Sequence, residues 1–323
     1  MKKLLEVLLV TLMVLSITAC SNNQTSDEPL TDPIFKIGVV QLVEHDALDA
    51  ATKGFKDQLE KDFSNIVIDV ENAQGESANC LQIANRFVNG GYDLIMANAT
   101  PALQSTLSAT GSIPILGTSV TDYGAALGID NFDGVVGENI SGTSDYLPLD
   151  EQAQIILDLI PNAKTVGILY CSSEDNSIYQ AEEVTAFLES KGINVIIDTF
   201  TDSSDVKTVT ERLCKKVDAI FIPTDNQAAT CGEAINNIAL EKKIPIIAGE
   251  EGICAKCGVA TLTIDYYELG ILTAKMARDI LTGEKKIEET PIQYFENPVK
   301  KYNPEIAEAL GIEIPSDYVA IEK

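Results

Sequence analysis

Tryptophan is absent from this 323-residue chain, histidine occurs once, and aromatic residues make up only 6%. A lone His45 cannot build a multi-imidazole zinc site, and no metal site is expected. Cations are also scarce, with 23 Lys and Arg against 49 Asp and Glu and a formal charge of −26. A surface of that sign repels phosphates, which excludes nucleic acid as a partner. The chain also lacks GxSxG, HExxH, a P-loop and a GxGxxG opening its first helix. Gly90-Gly91 closes a helical pattern and does not cradle a phosphate. An enzyme is therefore not expected, and neither is a cofactor.

The one long apolar run lies near the N terminus. Lys2 and Lys3 precede the stretch Leu8 to Ile17, and the small residues Thr18 and Ala19 lead to Cys20. The run is short for a permanent span and has the three-part layout of an export signal. Ile17-Thr18-Ala19-Cys20 matches the lipobox of bacterial lipoproteins, in which the thiol is acylated and cleavage leaves Cys20 first. An ordinary secretory peptide ending near a cysteine is the alternative. The expected layout is a signal peptide over 1–19 and a lipidated tether over 20–33, polar and aperiodic from Ser21 to Asp32. So acidic a body meets an anionic membrane only through the lipid on Cys20. The location is then extracytoplasmic, on the cell surface.

Six further cysteines are harder to place: Cys80, Cys171, Cys214, Cys231, Cys254 and Cys257. An oxidising compartment favours pairing. Cys254-Ala-Lys-Cys257 has metal or redox spacing but no second CxxC. A local disulfide and free thiols in a reducing habitat both remain open. Cys80 and Cys214 fall in helical patterns and read as small core fillers.

Beyond the tether, short apolar strands alternate with helical patterns. Strands are expected at Phe35–Gln41, Ile66–Val70, Asp93–Ala97 and Pro114–Gly117, separated by helices at Asp46–Asp62, around Ala78–Phe87, and at Pro101–Ala109. The same grammar restarts at Thr165–Tyr170 and runs to Ile244–Gly249. Ser112-Ile-Pro-Ile-Leu-Gly117 and Lys243-Ile-Pro-Ile-Ile-Ala-Gly249 hold equivalent places in the two halves. This is an α/β chain of two Rossmann-like lobes with parallel sheets and a ligand cleft between them. The remainder holds a strand near Ala260–Ile264, a helix at Tyr266–Leu281, a strand near Gln293–Phe295 and a helix at Pro304–Leu310. Pieces this small complete sheets already begun, so the chain crosses between lobes more than once. The expected division is 34–142 with 260–287 for lobe 1, and 143–259 with 288–323 for lobe 2.

Ligands of open parallel sheets sit at the carboxyl ends of strands. Those positions hold His45; Thr100; Ser119, Val120, Thr121 and Tyr123; Asn176 and Ser177; Asp225; and Asp265 with Tyr266 and Tyr267. Hydroxyls and helix-start amides near Thr100, Ser119, Thr121, Asn176 and Ser177 suit a carboxylate. Asp225 suits an ammonium group, and the tyrosines suit an apolar or aromatic side chain. A zwitterion with a hydrophobic tail fits the set, although helix capping alone also explains polar residues after strands. His45 reads as a ligand contact, a helix-start residue or neither, and no paired group at a suitable spacing supports a role as a base.

The segments Phe35-Lys-Ile-Gly-Val-Val-Gln-Leu-Val-Glu-His-Asp-Ala-Leu-Asp49, Asn72-Ala-Gln-Gly75, Asn98-Ala-Thr-Pro-Ala102, Gly117-Thr-Ser-Val-Thr-Asp122, Gly167-Ile-Leu-Tyr170, Asn176-Ser177 and Pro223-Thr-Asp-Asn226 carry a resemblance. Together with Leu310-Gly-Ile312 and the lipobox, they resemble a substrate-binding lipoprotein of an ABC importer. More narrowly, they resemble the branch of tryptophan- and tyrosine-binding proteins with the type I periplasmic-binding fold. The resemblance implies a monomer without catalysis that traps a free aromatic amino acid, tyrosine slightly ahead, and delivers it to an ABC permease. It places ligand contacts at His45, Thr100, Ser119 to Thr121, Asn176, Ser177, Asp225 and Asp265. A surface sensor or adhesin on the same fold is the alternative. Cys171, Cys231, Cys254 and Cys257 are not required by the family pattern.

Overall fold

The computed structural model describes residues 35–322; the expected signal peptide, the tether and Cys20 lie outside the described residues. Apolar strands and amphipathic helices alternate along the chain, and the strands sort into two sheets. In the first, β1 (Phe35–Gln41), β3 (Leu94–Asn98) and β4 (Ile115–Val120) are almost wholly buried. Strands covered on both faces read as unbroken apolar runs, as Leu-Ile-Met-Ala does in β3. The edge strand β2 (Ile66–Asn72) is instead half-buried to exposed. With β5 (Ile140–Ser144) and β11 (Gln293–Tyr294), the order is β11-β5-β4-β3-β1-β2, parallel throughout.

The second sheet runs β13-β12-β10-β9-β8-β6-β7. It comprises β6 (Thr165–Cys171), β7 (Asn194–Phe200), β8 (Ala219–Ile222), β9 (Ile246–Ala248), β10 (Ala260–Thr263), β12 (Val299–Tyr302) and β13 (Val319–Ala320). Only the pairing of β12 with β10 is antiparallel. Each sheet reverses its strand order once, between β1 and β3 in the first and between β6 and β8 in the second. Such reversals open a crevice at the strands' carboxyl ends.

Three crossings join the lobes. The first follows β5, the second follows β10, and the third separates β11 from β12. The expected boundaries at 142, 260 and 287 therefore shift. Ala260 and Thr261 pair with Ile247 and Ala248, which puts β10 in the second lobe. Gln293 and Tyr294 pair with Thr143 and Ser144, which puts β11 in the first. Besides β5, β12 and β13, three α-helices were not expected: α4 (Tyr123–Leu127), α5 (Leu149–Leu159) and α9 (Glu251–Cys257).

Helix α1 (Asp46–Asp62) buries Ala47, Ala51, Phe55 and Leu59 along one stripe, with Asp46 and Asp49 at its positive end. Its partner is α10 (Tyr266–Leu281), the helix that leaves the second crossing. The two backbones touch: a Cβ on Gly270 would lie 2.0 Å from the Ala51 carbonyl oxygen, and one on Gly54 would lie 2.0 Å from that of Tyr267. Three hydroxyls tie α10 to the sheet. Thr273 Oγ1 lies 2.8 Å from Thr143 Oγ1 and 3.1 Å from Thr118 Oγ1. All six described cysteines are free and buried, so the local disulfide does not form.

Candidate functional site

Both sheet reversals open towards the same inter-lobe space. From the first lobe come the loop after β1, with His45, the start of α3 (Thr100–Ala109), and Ser119 to Thr121 after β4. From the second come Glu174 after β6, the start of α6 (Asp175–Ser190), and the start of α8 (Asn226–Lys242) after β8. A narrow cavity there leaves only about 10 Å³ for a water-sized guest, within about 290 Å³ of non-atom space that includes open solvent. Its lining includes His45, Ser119, Thr121, Asp145, Asp225, Glu250 and Tyr266, and no Lys or Arg. Ala47, Glu250 and Tyr266 also line a wider outer crevice of about 730 Å³, where Asp265 and Tyr267 sit.

Several buried polar atoms in this region have no hydrogen-bond partner among the described residues: His45 Nδ1, Thr100 Oγ1, Ser119 Oγ, Asp145 Oδ1 and Asn176 Oδ1. Buried polar groups are almost always paired, so such a concentration marks a place built to meet a ligand. The backbone agrees. Ala99 and Ser119, at the carboxyl ends of β3 and β4, adopt φ of 93° and 54°. A non-glycine residue there costs about 1–3 kcal/mol, a strain that clusters at functional sites. Ala99 also leaves the N terminus of α3 without a side-chain cap, so the first-turn amides on either side of Pro101, which has none, stay available to an anion.

The second lobe supplies a hydrogen-bonded chain that fixes His45. Glu174 is buried and accepts from the backbone amides of Asn226 and Gln227. It also accepts from Asn226 Nδ2, which turns the Asn226 carbonyl oxygen towards His45. His45 Nε2 lies 3.1 Å from that oxygen and must donate to it. Its Nδ1 is therefore bare and acts as an acceptor. Burial lowers the His45 pKa to about 4, keeping the ring neutral. Burial, then the Asp225 charge, pushes Glu174 up.

Polar contacts also bridge the lobes directly. Thr121 Oγ1 meets Thr224 Oγ1 at 3.3 Å, and Gln180 Nε2 donates to Thr121. Gln104 Nε2 donates to Asp175 at 2.8 Å, and Gln227 Nε2 donates to the Gly75 carbonyl at 3.3 Å. Lys256 pairs with Asp46 at 3.5 Å on the rim.

Of the residues expected at the site, His45, Ser119, Thr121, Asp225 and Tyr266 line the cavity. Thr100 and Asn176 are buried at the starts of their helices, each with an unpartnered oxygen. Others serve the scaffold. Val120 is wholly buried in the first-lobe core. Tyr123 is 1% exposed and donates to the Thr143 carbonyl, filling the core under β4 because Gly117 and Gly142 leave it room. Ser177 Oγ donates to Asp225, and exposed Asp265 caps α10 through the Glu268 amide. Glu174, Thr224, Asn226 and Glu250 were candidates by their place after strands without being named as ligand contacts, and Asp145, whose strand has no apolar pattern, was not marked at all.

Residues 36–321 match the family model described as ABC transporter substrate binding protein. A Tyrosine-binding protein of Clostridioides difficile (strain R20291) is 35% identical over 323 residues, 97% of this chain and 93% of that protein. The ABC domain in complex with L-Trp from Streptococcus pneumonia superposes with a TM-score of 0.83 at 34% identity, covering 88% of this chain and 97% of that one. A ligand-free, open substrate binding protein with adhesive properties from Clostridium difficile is 38% identical, over 89% of this chain and 100% of that one. Its TM-score is 0.67. This chain superposes more closely on the complex than on the ligand-free, open protein.

Proposed function

Because the chain belongs to the ABC transporter substrate binding protein family, we propose that it captures a free aromatic amino acid between its lobes and delivers it to a membrane permease. The observation that carries this reading is the cavity: three buried carboxylates and a neutral imidazole line it, with no cation among them. A buried charge without a partner costs several kcal/mol. A ligand bearing an ammonium group offsets that cost, and its contacts with both lobes at once supply the differential interaction that favours closure. Its carboxylate is received by the uncapped N terminus of α3 with Thr100. Tyr266, the wall shared by the inner cavity and the outer crevice, offers an aromatic face to the side chain. Tyrosine and tryptophan are the preferred ligands, in keeping with what the relatives bind.

The chain acts as a monomer, outside the cytoplasm and moored by a lipid on Cys20. Among the described residues no helix is long and apolar enough to cross a membrane. Adhesion from the cell surface is a second reading, favoured by the relative with adhesive properties. Calorimetry against the twenty amino acids tests the principal one. Tyrosine or tryptophan should bind with a Kd well below 100 μM, about −5.5 kcal/mol; no binding of any amino acid at that level refutes it.

A further inference from the structure

We propose that Asp145 holds the ammonium group of the ligand, and that its bond to Tyr266 ties this contact to two of the three crossings between the lobes. The inference rests on the amino-acid reading above and moves the cation from Asp225, the residue expected from sequence, to one that sequence did not mark.

The choice among the buried acids is settled by counting acceptors already in use. Asp225 Oδ2 takes the Cys171 amide at 2.8 Å and the Ser177 hydroxyl at 2.7 Å, and Oδ1 takes the Ala228 amide at 2.7 Å. Glu250 spends one oxygen on the Gly252 amide and the other on the Ile253 amide, capping α9. Glu174 is committed to Asn226 and Gln227. Asp145 differs. Its Oδ2 accepts from the Tyr266 hydroxyl at 2.8 Å, while Oδ1 has no hydrogen-bond partner among the described residues, although the residue is only 5% exposed. Burial pushes its carboxyl pKa up, and the nearby Tyr266 and Thr121 hydroxyls pull it part of the way back down.

Two other unpartnered atoms line the same cavity, His45 Nδ1 and Ser119 Oγ. An ammonium group has three N–H donors and no acceptor. Asp145 Oδ1, the bare imidazole nitrogen and the Ser119 hydroxyl make three acceptors for it. The remaining charged neighbours are Glu250 and Asp225 on the lining and Lys256 outside it, the last already held by the Ala229 carbonyl and Asp46.

Position gives the contact its second effect. Asp145 follows β5 at the first crossing, and Tyr266 opens α10 just after the second. A cation on Oδ1 keeps Asp145 ionised and so strengthens the bond it accepts from Tyr266. Ligand capture thereby fastens the two crossings to each other.

The test pairs each amino acid with its des-amino analogue: L-tyrosine with 3-(4-hydroxyphenyl)propionate, and L-tryptophan with indole-3-propionate. Calorimetry on the mature protein should show the wild type preferring the amino acids. Asp145→Asn should lose about 100-fold or more in amino-acid affinity while binding the des-amino compounds at least as well. Tyr266→Phe keeps the carboxylate; at saturating amino acid it should show less compaction by X-ray scattering than the wild type. An Asn variant that keeps the wild-type preference overturns the ammonium assignment, and a Phe variant that compacts fully overturns the coupling. A wild type that binds no amino acid fails earlier, and removes the functional reading together with this one.

Discussion

Replacing Gly270 by alanine sets two known effects against each other at one atom. In an unpacked helix the change is favourable by about 1 kcal/mol, because alanine loses less backbone entropy than glycine. Here the new Cβ would lie 2.0 Å from the Ala51 oxygen, 2.8 Å from the Ala51 carbonyl carbon and 2.9 Å from the Phe55 nitrogen. All three are backbone atoms of α1, so no side chain can rotate away. Restoring an ordinary contact of about 3.5 Å requires α1 and α10 to part by more than about 1 Å, a gap that forfeits a quarter to a half of each dispersion contact along the seam. Overpacking costs about 1–3 kcal/mol where side chains can adjust, and a backbone clash belongs at or above the top of that range. The net expectation is a loss of about 2 kcal/mol. For a body of this size that lowers Tm by about 3 °C, readable by calorimetric melting without ligand. Gly54→Ala should act in the same direction. The double variant should cost less than the sum, since one separation of the helices relieves both clashes. A rise in Tm for Gly270→Ala, as propensity alone would give, refutes the backbone contact.

Asp225→Asn turns an NH2 group towards amides that already donate, and should lower stability by about 3 kcal/mol. In a chemical melt this loss should appear without ligand and leave the preference for amino acids over des-amino analogues intact. His45 makes a pH prediction with a definite sign. Its pKa falls from 6.5 to about 4 on folding, so the unfolded chain binds the proton more readily and the benefit of a neutral ring is complete above about pH 6.5. As the pH drops towards 4, the wild type should lose roughly 2–3 kcal/mol relative to His45→Asn. Parallel stability curves for the two proteins would contradict this. Burial pushes the thiols of Cys80 and Cys214 up to about 12 and about 11. All six described thiols should resist an aromatic disulfide reagent at pH 8 and react only after denaturation; labelling of the native protein would oppose that.

The lobes were readable because their strands are buried on both faces and carry unbroken apolar runs, as in Leu94–Ala97 and Ala219–Ile222. The strand β5 was not, since Ile-Ser-Gly-Thr-Ser has one apolar side chain and Gly142 at a φ of 151°. What buries it is a set of hydroxyls satisfied by one another and by backbone carbonyls, a tertiary arrangement with no local period. An unread strand hides the residue at its carboxyl end, and here that residue is Asp145. Helix α5 did carry a signal in Leu149, Ala153, Ile156 and Leu159 at helical spacing. Glu174 was in view as one acid in a polar run, but its burial depends on α8, which is distant in sequence. Tyr123 failed in the opposite way: a tyrosine after a strand looks like a ligand platform, and only the space over Gly117 and Gly142 turns it inward.

The contacts that bridge the lobes belong to the protein and not to its ligand. The bonds from His45 to Asn226, Gln104 to Asp175 and Gln227 to Gly75 can form whether or not a guest is held. Each shifts the balance between open and closed forms by about 1 kcal/mol. Apparent affinity scales with the fraction of molecules already able to bind. Affinity is therefore adjustable from outside the pocket. Trimming Gln104 or Asp175 would weaken capture of every ligand by a similar factor and leave the ranking among ligands unchanged. Evolution or design can match the trap to scarce or plentiful nutrient at such positions without rebuilding the recognition surface.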